Sequence, residues 1–158
     1  MRAREIMTKP VMTVGRMTNL SELARIMVDR RIGCVLVVDE QGKLCGIVTE
    51  TDFAAKERGV PFSIHILPQV FNQLIPREAI DRLQEAARAA TAQEIMISEV
   101  ITATEETPVA EVAGKMLRYD IEHIPVVRDG VPVGIVSRHD LLRMIVQQAE
   151  TSMTSPSP

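Results

Sequence analysis

Apolar residues along this chain fall into two recurrent patterns, and each pattern occurs twice. Leu20, Leu23, Ala24 and Met27 recur at the three- and four-residue intervals of a helix with one apolar face. Val109, Val112, Ala113 and Met116 repeat that spacing. Thr107-Pro108 ahead of them supplies a capping residue and then a proline, whose missing N–H costs nothing at a helix start. A nearly unbroken apolar run follows each helix. Cys34-Val35-Leu36-Val37-Val38, a turn at Asp39-Glu40-Gln41-Gly42 and a return through Leu44-Cys45-Gly46-Ile47-Val48 predict a β-hairpin. Ile124-Pro125-Val126-Val127, a turn at Arg128-Asp129-Gly130 and Val133-Gly134-Ile135-Val136 predict a second. Such continuous strands imply sheets covered on both faces. A further helix is expected after Asp52 and another after Asp140, the latter packing through Leu141, Leu142, Ile145 and Val146.

The two patterns belong to a duplication. Glu5-Ile6-Met7, Val11 and Thr13 return as Glu94-Ile95-Met96, Val100 and Thr102, an offset of 89 residues. Gly46-Ile47-Val48-Thr49-Glu50-Thr51-Asp52 returns as Gly134-Ile135-Val136-Ser137-Arg138-His139-Asp140, an offset of 88, so one residue is lost near the first hairpin turn. The expected organisation is a first repeat over 1–57, a helical insert over 58–92, a second repeat over 93–148 and a disordered tail over 149–158. The fold class is α/β, with each repeat reading short strand, helix, strand, strand, helix. A repeat of ~50 residues cannot bury enough surface to stand alone, so the two are expected to pack into one unit through their sheets. In the insert, Pro61, Pro68 and Pro76 break the pattern. Ile80, Leu83, Ala87 and Ala90 then mark a helix that packs on the body or joins a dimer contact.

Composition narrows the function. The chain is 46% hydrophobic and 25% charged with a formal charge of −3, which gives no long-range attraction for nucleic acid or anionic lipid. Three Phe, one Tyr and no Trp leave little for base stacking. No apolar run reaches the ~20 residues of a membrane span and no signal-peptide core is present, so the expectation is a cytoplasmic protein without membrane or nucleic-acid partners. Cys34 and Cys45 fit no metal spacing and read as buried, reduced thiols. His65, His123 and His139 form no HExxH-type pattern, neither cysteine has an evident histidine partner, and phosphate-binding glycine loops are absent. The reading is a protein that is not an enzyme and needs no cofactor or metal.

The chemistry that remains sits in the repeated endings. Thr49 with Asp52, and Ser137 with Asp140, place a hydroxyl three residues before a carboxylate at a strand-to-helix junction. That spacing serves a helix-capping box. It also suits a ribose, since a carboxylate accepts hydrogen bonds from hydroxyls and backbone N–H groups at a helix start favour an anion. Both uses stay open at this point.

The paired Ile-Met openings, the segment Ile121-Glu122-His123-Ile124-Pro125-Val126-Val127 and the two Gly-Ile-Val-Thr/Ser-x-x-Asp endings make residues 1–148 resemble a tandem cystathionine-β-synthase (CBS) domain protein, or Bateman module. The resemblance implies a regulatory sensor whose clefts between repeats take adenosine-containing ligands (AMP, ADP or ATP, less readily S-adenosylmethionine) and which forms a homodimer. On the family pattern Thr49, Asp52, Ser137 and Asp140 meet the ribose. Val11, Met12, Thr13 and Leu36, or Val100, Ile101, Thr102 and Pro125, would line the clefts. Arg138, His139 and His123 add basic or hydrogen-bonding groups to the second cleft, where a phosphate would be met. Glu50, Thr51 and Cys34 stand at those places in the first, and Glu122 sits where some relatives carry a basic residue. The second set is therefore the stronger candidate, and AMP or ADP is favoured over ATP. An effector protein would have to read the signal. The other reading is an interaction or dimerisation scaffold with vestigial clefts.

Overall fold

The computed structural model describes residues 1–54 and 77–153. Prolines 61, 68 and 76, and residues 154–158 of the expected tail, lie outside them. The described elements are α1 (Ala3–Ile6), β1 (Thr13–Gly15), α2 (Leu20–Arg30), β2 (Cys34–Val38), β3 (Leu44–Thr49), α3 (Glu50–Ala54), α4 (Arg77–Ala89), α5 (Ala92–Ile95), α6 (Val109–Tyr119), β4 (His123–Arg128), β5 (Val131–Ser137) and α7 (Arg138–Met153). The amphipathic helices and hairpins predicted from periodicity are all present.

The chain forms two compact units, and they do not coincide with the sequence repeats. One unit combines residues 1–11 with 100–158, and the other is 12–99. The opening segment of each repeat therefore packs on the body of the other. In the 12–99 unit, β1 pairs in parallel with β2, and β2 pairs antiparallel with β3. Leu20, Leu23 and Met27 of α2 bury against Val35, Val37 and Val48. Ala92 and Ile95, from the second repeat's opening, complete that core, as does Ala87 of α4. The insert helix thus packs on the body, against α2. Leu36 and Ile47 occupy the opposite sheet face and are also buried, as a strand apolar on both faces requires.

In the other unit β4 pairs antiparallel with β5, and Val112, Met116, Ile124, Val126 and Val136 form the core. Ala3, from the first repeat's opening, is fully buried in it, at the place Ala92 takes in the other unit. The strand expected at 100–102 is reduced to a single parallel bridge between Ala103 and Val126.

The hairpin turns follow their residues. Asp39 Oδ1 accepts from the N–H groups of Gln41 and Lys43, both at 2.9 Å, and Gly42 takes φ 77°. Asp129 and Gly130, at φ 52° and 82°, make a two-residue turn whose twist suits the flanking strands. Two expectations for α7 are corrected. Its helix runs through Met153, past the boundary expected at 148. Only Leu141 and Met144 of its first turns are half-buried; Leu142, Ile145 and Val146 are 61%, 58% and 55% exposed. The face bearing Asp140 and Leu141 meets the sheet, which leaves those three residues on the outer side.

Candidate functional site

Each unit carries one strand-to-helix turn in which a hydroxyl residue ends the strand and a buried carboxylate sits in the first helical turn. In the 100–153 portion, β5 ends at Ser137 and α7 begins at Arg138. Asp140 is 5% exposed, and its Oδ2 accepts from the Ser137 N–H at 2.8 Å and the Ser137 hydroxyl at 2.7 Å. In the other unit Asp52 is also 5% exposed, and its Oδ2 accepts from the Thr49 N–H at 2.7 Å and the Thr49 hydroxyl at 3.1 Å. Burying a carboxylate is costly unless it is hydrogen-bonded, and these donors meet that cost. The capping geometry read from the spacing is therefore present in both copies, with Asp in place of the usual Glu.

The first shells differ beyond that shared frame. Asp140 Oδ1 accepts from the Thr8 hydroxyl at 3.3 Å and lies 3.7 Å from Arg143 Nη1. Neither residue was singled out by sequence reasoning. Thr8 is 132 positions away and Arg143 falls outside the motif, so only an offset comparison, which sets Thr8 against Ile97, could have raised the first. Thr8 is held by backbone bonds to Ile135, its N–H donating at 2.8 Å and its carbonyl accepting at 3.1 Å. Ile97 makes the same two bonds to Ile47, at 2.9 and 3.0 Å, without a hydroxyl. The glycine of each motif explains the close approach. A Cβ on Gly134 would overlap the Met7 thioether, and one on Gly46 would overlap that of Met96. The Ile-Met opening and the Gly-Ile-Val ending are two halves of one contact.

The other candidates are placed as follows. His123 pairs across the hairpin with Ser137, as Cys34 does with Thr49. Burial pushes the Cys34 thiol up to about 12, so it stays neutral. Both cysteines are free thiols, with Cys34 buried and Cys45 half-buried. The Arg16 guanidinium lies 3.4 Å from the Cys45 sulfur. Val100, Ile101 and Thr102 lead into Ala103, whose N–H donates to the Pro125 carbonyl at 3.0 Å. The Thr102 carbonyl accepts from Lys115 at 3.2 Å. Met12, Thr13 and Leu36 lie together, with Leu36 N–H donating to the Met12 carbonyl at 3.1 Å, while Val11 belongs to the other unit.

His139 is exposed at the second position of α7. Arg138, the candidate phosphate contact, pairs with Asp120 at 3.1 Å and approaches Glu122 at 3.9 Å. The matching places in the other unit hold the opposite charges in reversed order, Arg31 and Glu50. These two line an open groove of about 500 Å³ with Met27, Val28 and Phe53. Among the described residues no group of three or more His, Cys, Asp or Glu could hold a metal ion, and no helix is long and apolar enough to cross a membrane.

Comparison with known proteins agrees with this arrangement of repeats. The CBS-domain family model matches residues 3–58 and 92–147. The solved CBS domain of a CBS domain containing membrane protein from Sphaerobacter thermophilus is 42% identical. That match covers 90% of this chain and 86% of that one with a TM-score of 0.75. The CBS domain pair of protein MJ0100, solved in complex with 5′-methylthioadenosine and S-adenosyl-L-methionine, is 31% identical over 94% of this chain and 98% of that one, with a TM-score of 0.69. L-aspartate semialdehyde sulfurtransferase of Methanocaldococcus jannaschii is 34% identical over 89% of this chain, yet the chain spans only 22% of that protein. Two family matches, one on each repeat and together covering most of the chain, make it a tandem CBS-domain protein.

Proposed function

We propose that this chain is a non-catalytic regulatory module that binds an adenosine-containing ligand at the Ser137–Asp140 turn, with the Thr49–Asp52 turn as a second, less polar position. One observation carries the reading. A buried carboxylate, its Oδ2 fully engaged, stands at the same strand-to-helix junction in both units, and at Asp140 the second oxygen is held only by long contacts. A ribose hydroxyl is a suitable donor to that oxygen. The ligands in the complex of the MJ0100 domain pair are adenosyl compounds, which supports the same class here.

The charge around the turn selects within the class. Arg138 is neutralised by Asp120 and Glu122, so a polyphosphate would have to break those pairs or do without them. AMP, 5′-methylthioadenosine and S-adenosylmethionine are therefore expected to bind more tightly than ATP. Titration calorimetry on nucleotide-free protein tests this directly. Saturable micromolar binding that Asp140→Ala weakens supports the reading. No heat and no thermal shift with any of the four sinks it, because a ligand selective for the native state must stabilise it.

A second reading has its own observation. Leu142, Ile145 and Val146 make an exposed apolar stripe at helical spacing on α7, as a self-association surface would. A homodimer through this helix should dissociate in Ile145→Asp, as read by light scattering at micromolar concentration. A monomeric parent protein would remove the reading.

A further inference from the structure

In each unit one methionine sulfur of the opening segment occupies the space that a glycine leaves open. Met7 Sδ is the atom nearest the place a Cβ on Gly134 would take, and Met96 Sδ stands in the same relation to Gly46. The residue after each methionine bridges to the residue after each glycine. Thr8 and Ile135 exchange backbone bonds at 2.8 and 3.1 Å, and Ile97 and Ile47 exchange theirs at 2.9 and 3.0 Å. Agreement between the copies marks the seating of the sulfur as a property of the fold. Met7 and Met96 are also half-buried, so a small oxidant reaches them. Met27 and Met116 are buried in the cores, and Met1 and Met17 are exposed side chains with little packing to lose. Met7 and Met96 combine access with a contact that holds the chain in place.

We propose that Met7 and Met96 are a pair of reversible oxidation sites, at which a peroxide turns each thioether into a sulfoxide and loosens the opening segment from the unit that holds it. A sulfur lone pair attacks one peroxide oxygen, the S–O bond forms and the O–O bond breaks. The departing hydroxide takes the proton of the transferred hydroxyl and leaves as water. Sulfur is oxidised and the peroxide reduced. A thiol-dependent sulfoxide reductase reverses the step, giving the thioether, water and a disulfide.

The sulfoxide does not fit where the thioether did. An oxygen on the glycine side of the sulfur falls in the space where even a Cβ overlaps. Turned the other way, the polar oxygen draws the side chain towards water, since burying it without a donor is costly. Either way the sulfur leaves the glycine and the adjoining bridge loses its support. Because the openings are exchanged, Met7 acts on the hairpin of the second repeat and Met96 on that of the first. The inference is independent of the adenosine reading and gives the module a redox input in which no ligand takes part.

The test oxidises the full chain with graded hydrogen peroxide, locates sulfoxides by peptide mass spectrometry and follows amide exchange by NMR. Sulfoxide at Met7 should speed exchange at Thr8 and Ile135 by about tenfold, within the range that overpacking one site produces. Sulfoxide at Met96 should do the same at Ile97 and Ile47. Oxidation of Met1 or Met17 alone should change neither pair, and a sulfoxide reductase should restore protection. Met7→Leu and Met96→Leu keep an apolar side chain of similar volume, and each should preserve its own bridge through oxidation. The inference is overturned if Met7 and Met96 stay reduced while Met12, also half-buried, is fully oxidised. It is equally overturned if their sulfoxides leave exchange unchanged, or if the leucine variants lose protection as the parent does. Loss and recovery are both read on the parent chain, so the result stands without the variants should either fail to fold.

Discussion

The Ser137–Asp140 and Thr49–Asp52 turns share a backbone plan and differ in their surroundings. Both hold a buried carboxylate by the N–H and hydroxyl three residues earlier, and both sit beside a glycine that receives a methionine from the other repeat. Asp140 has Thr8 and Arg143 beside it, and His123 pairs across the hairpin with Ser137. At the places of Thr8 and His123, the Asp52 turn has Ile97 and the neutral thiol of Cys34. The capping contact is needed by the fold in either copy, so duplication keeps it twice. The neighbours carry no such duty, and through them the two copies differ.

The shared frame can be broken first. Gly134→Ala and Gly46→Ala each force a methyl group into a methionine side chain and should cost about 1–3 kcal/mol in denaturant unfolding. Combining Gly134→Ala with Met7→Ala should recover part of that loss, since the two side chains compete for one space. A large effect in one unit only would show that the two contacts are not equivalent. Next come the carboxylates. Asp140→Ala and Asp52→Ala each remove a cap worth about 1 kcal/mol, so the two should lower stability alike. Their effects on adenosine affinity should separate, with Asp140→Ala weakening it more than about tenfold and Asp52→Ala less.

Smaller effects sharpen the contrast. Arg138→Ala removes exposed ion pairs and should change stability by no more than about 0.5 kcal/mol, with AMP affinity unchanged by calorimetry. A tenfold loss of AMP binding would instead mean that Arg138 leaves Asp120 for the ligand. The thiols give the mildest test at neutral pH. Cys45 should react with a thiol reagent in the native protein, and Cys34 only on unfolding. Burial raises the Cys34 pKa from the usual 9.0 to about 12. The stability tied to its protonated form is therefore full below about pH 9 and declines as pH rises towards 12. Cys34→Ala should flatten that alkaline slope in melting temperature, whatever it does to stability at neutral pH.

Local order was legible in the residues. Leu20, Leu23 and Met27 named their helix face, and Asp129-Gly130 named its turn, because periodicity and turn chemistry act over a few positions. The capping bonds of Asp52 and Asp140 followed from a three-residue spacing for the same reason. The exchange of opening segments could not be read this way. Glu5-Ile6-Met7 and Glu94-Ile95-Met96 are so alike that either would satisfy either glycine, and only tertiary structure decides. Thr8 escaped notice because its partner lies 132 residues on. The ion pairs of Arg138 with Asp120 and Glu122 are not legible, because 18 and 16 positions separate the partners and only the β4–β5 hairpin brings them together. On α7, apolar residues on two sides gave no indication of which side the sheet would take.

The exchange of openings also sets an order of events. Residues 12–99 form a compact unit from contiguous chain, so that unit can consolidate as soon as its last residues are available. The other must wait. Its residues 1–11 are made first, yet their partners begin only at residue 100, beyond an intervening stretch of 88 residues. Closing so long a loop adds only ~0.6 kcal/mol of entropy per doubling of length, so the equilibrium hardly notices. The timing does, because contacts of high sequence separation are slow to form and synthesis runs in one direction. Ile6 and Met7 stay without their strand until the second hairpin exists, and the Thr8–Asp140 contact forms only after that.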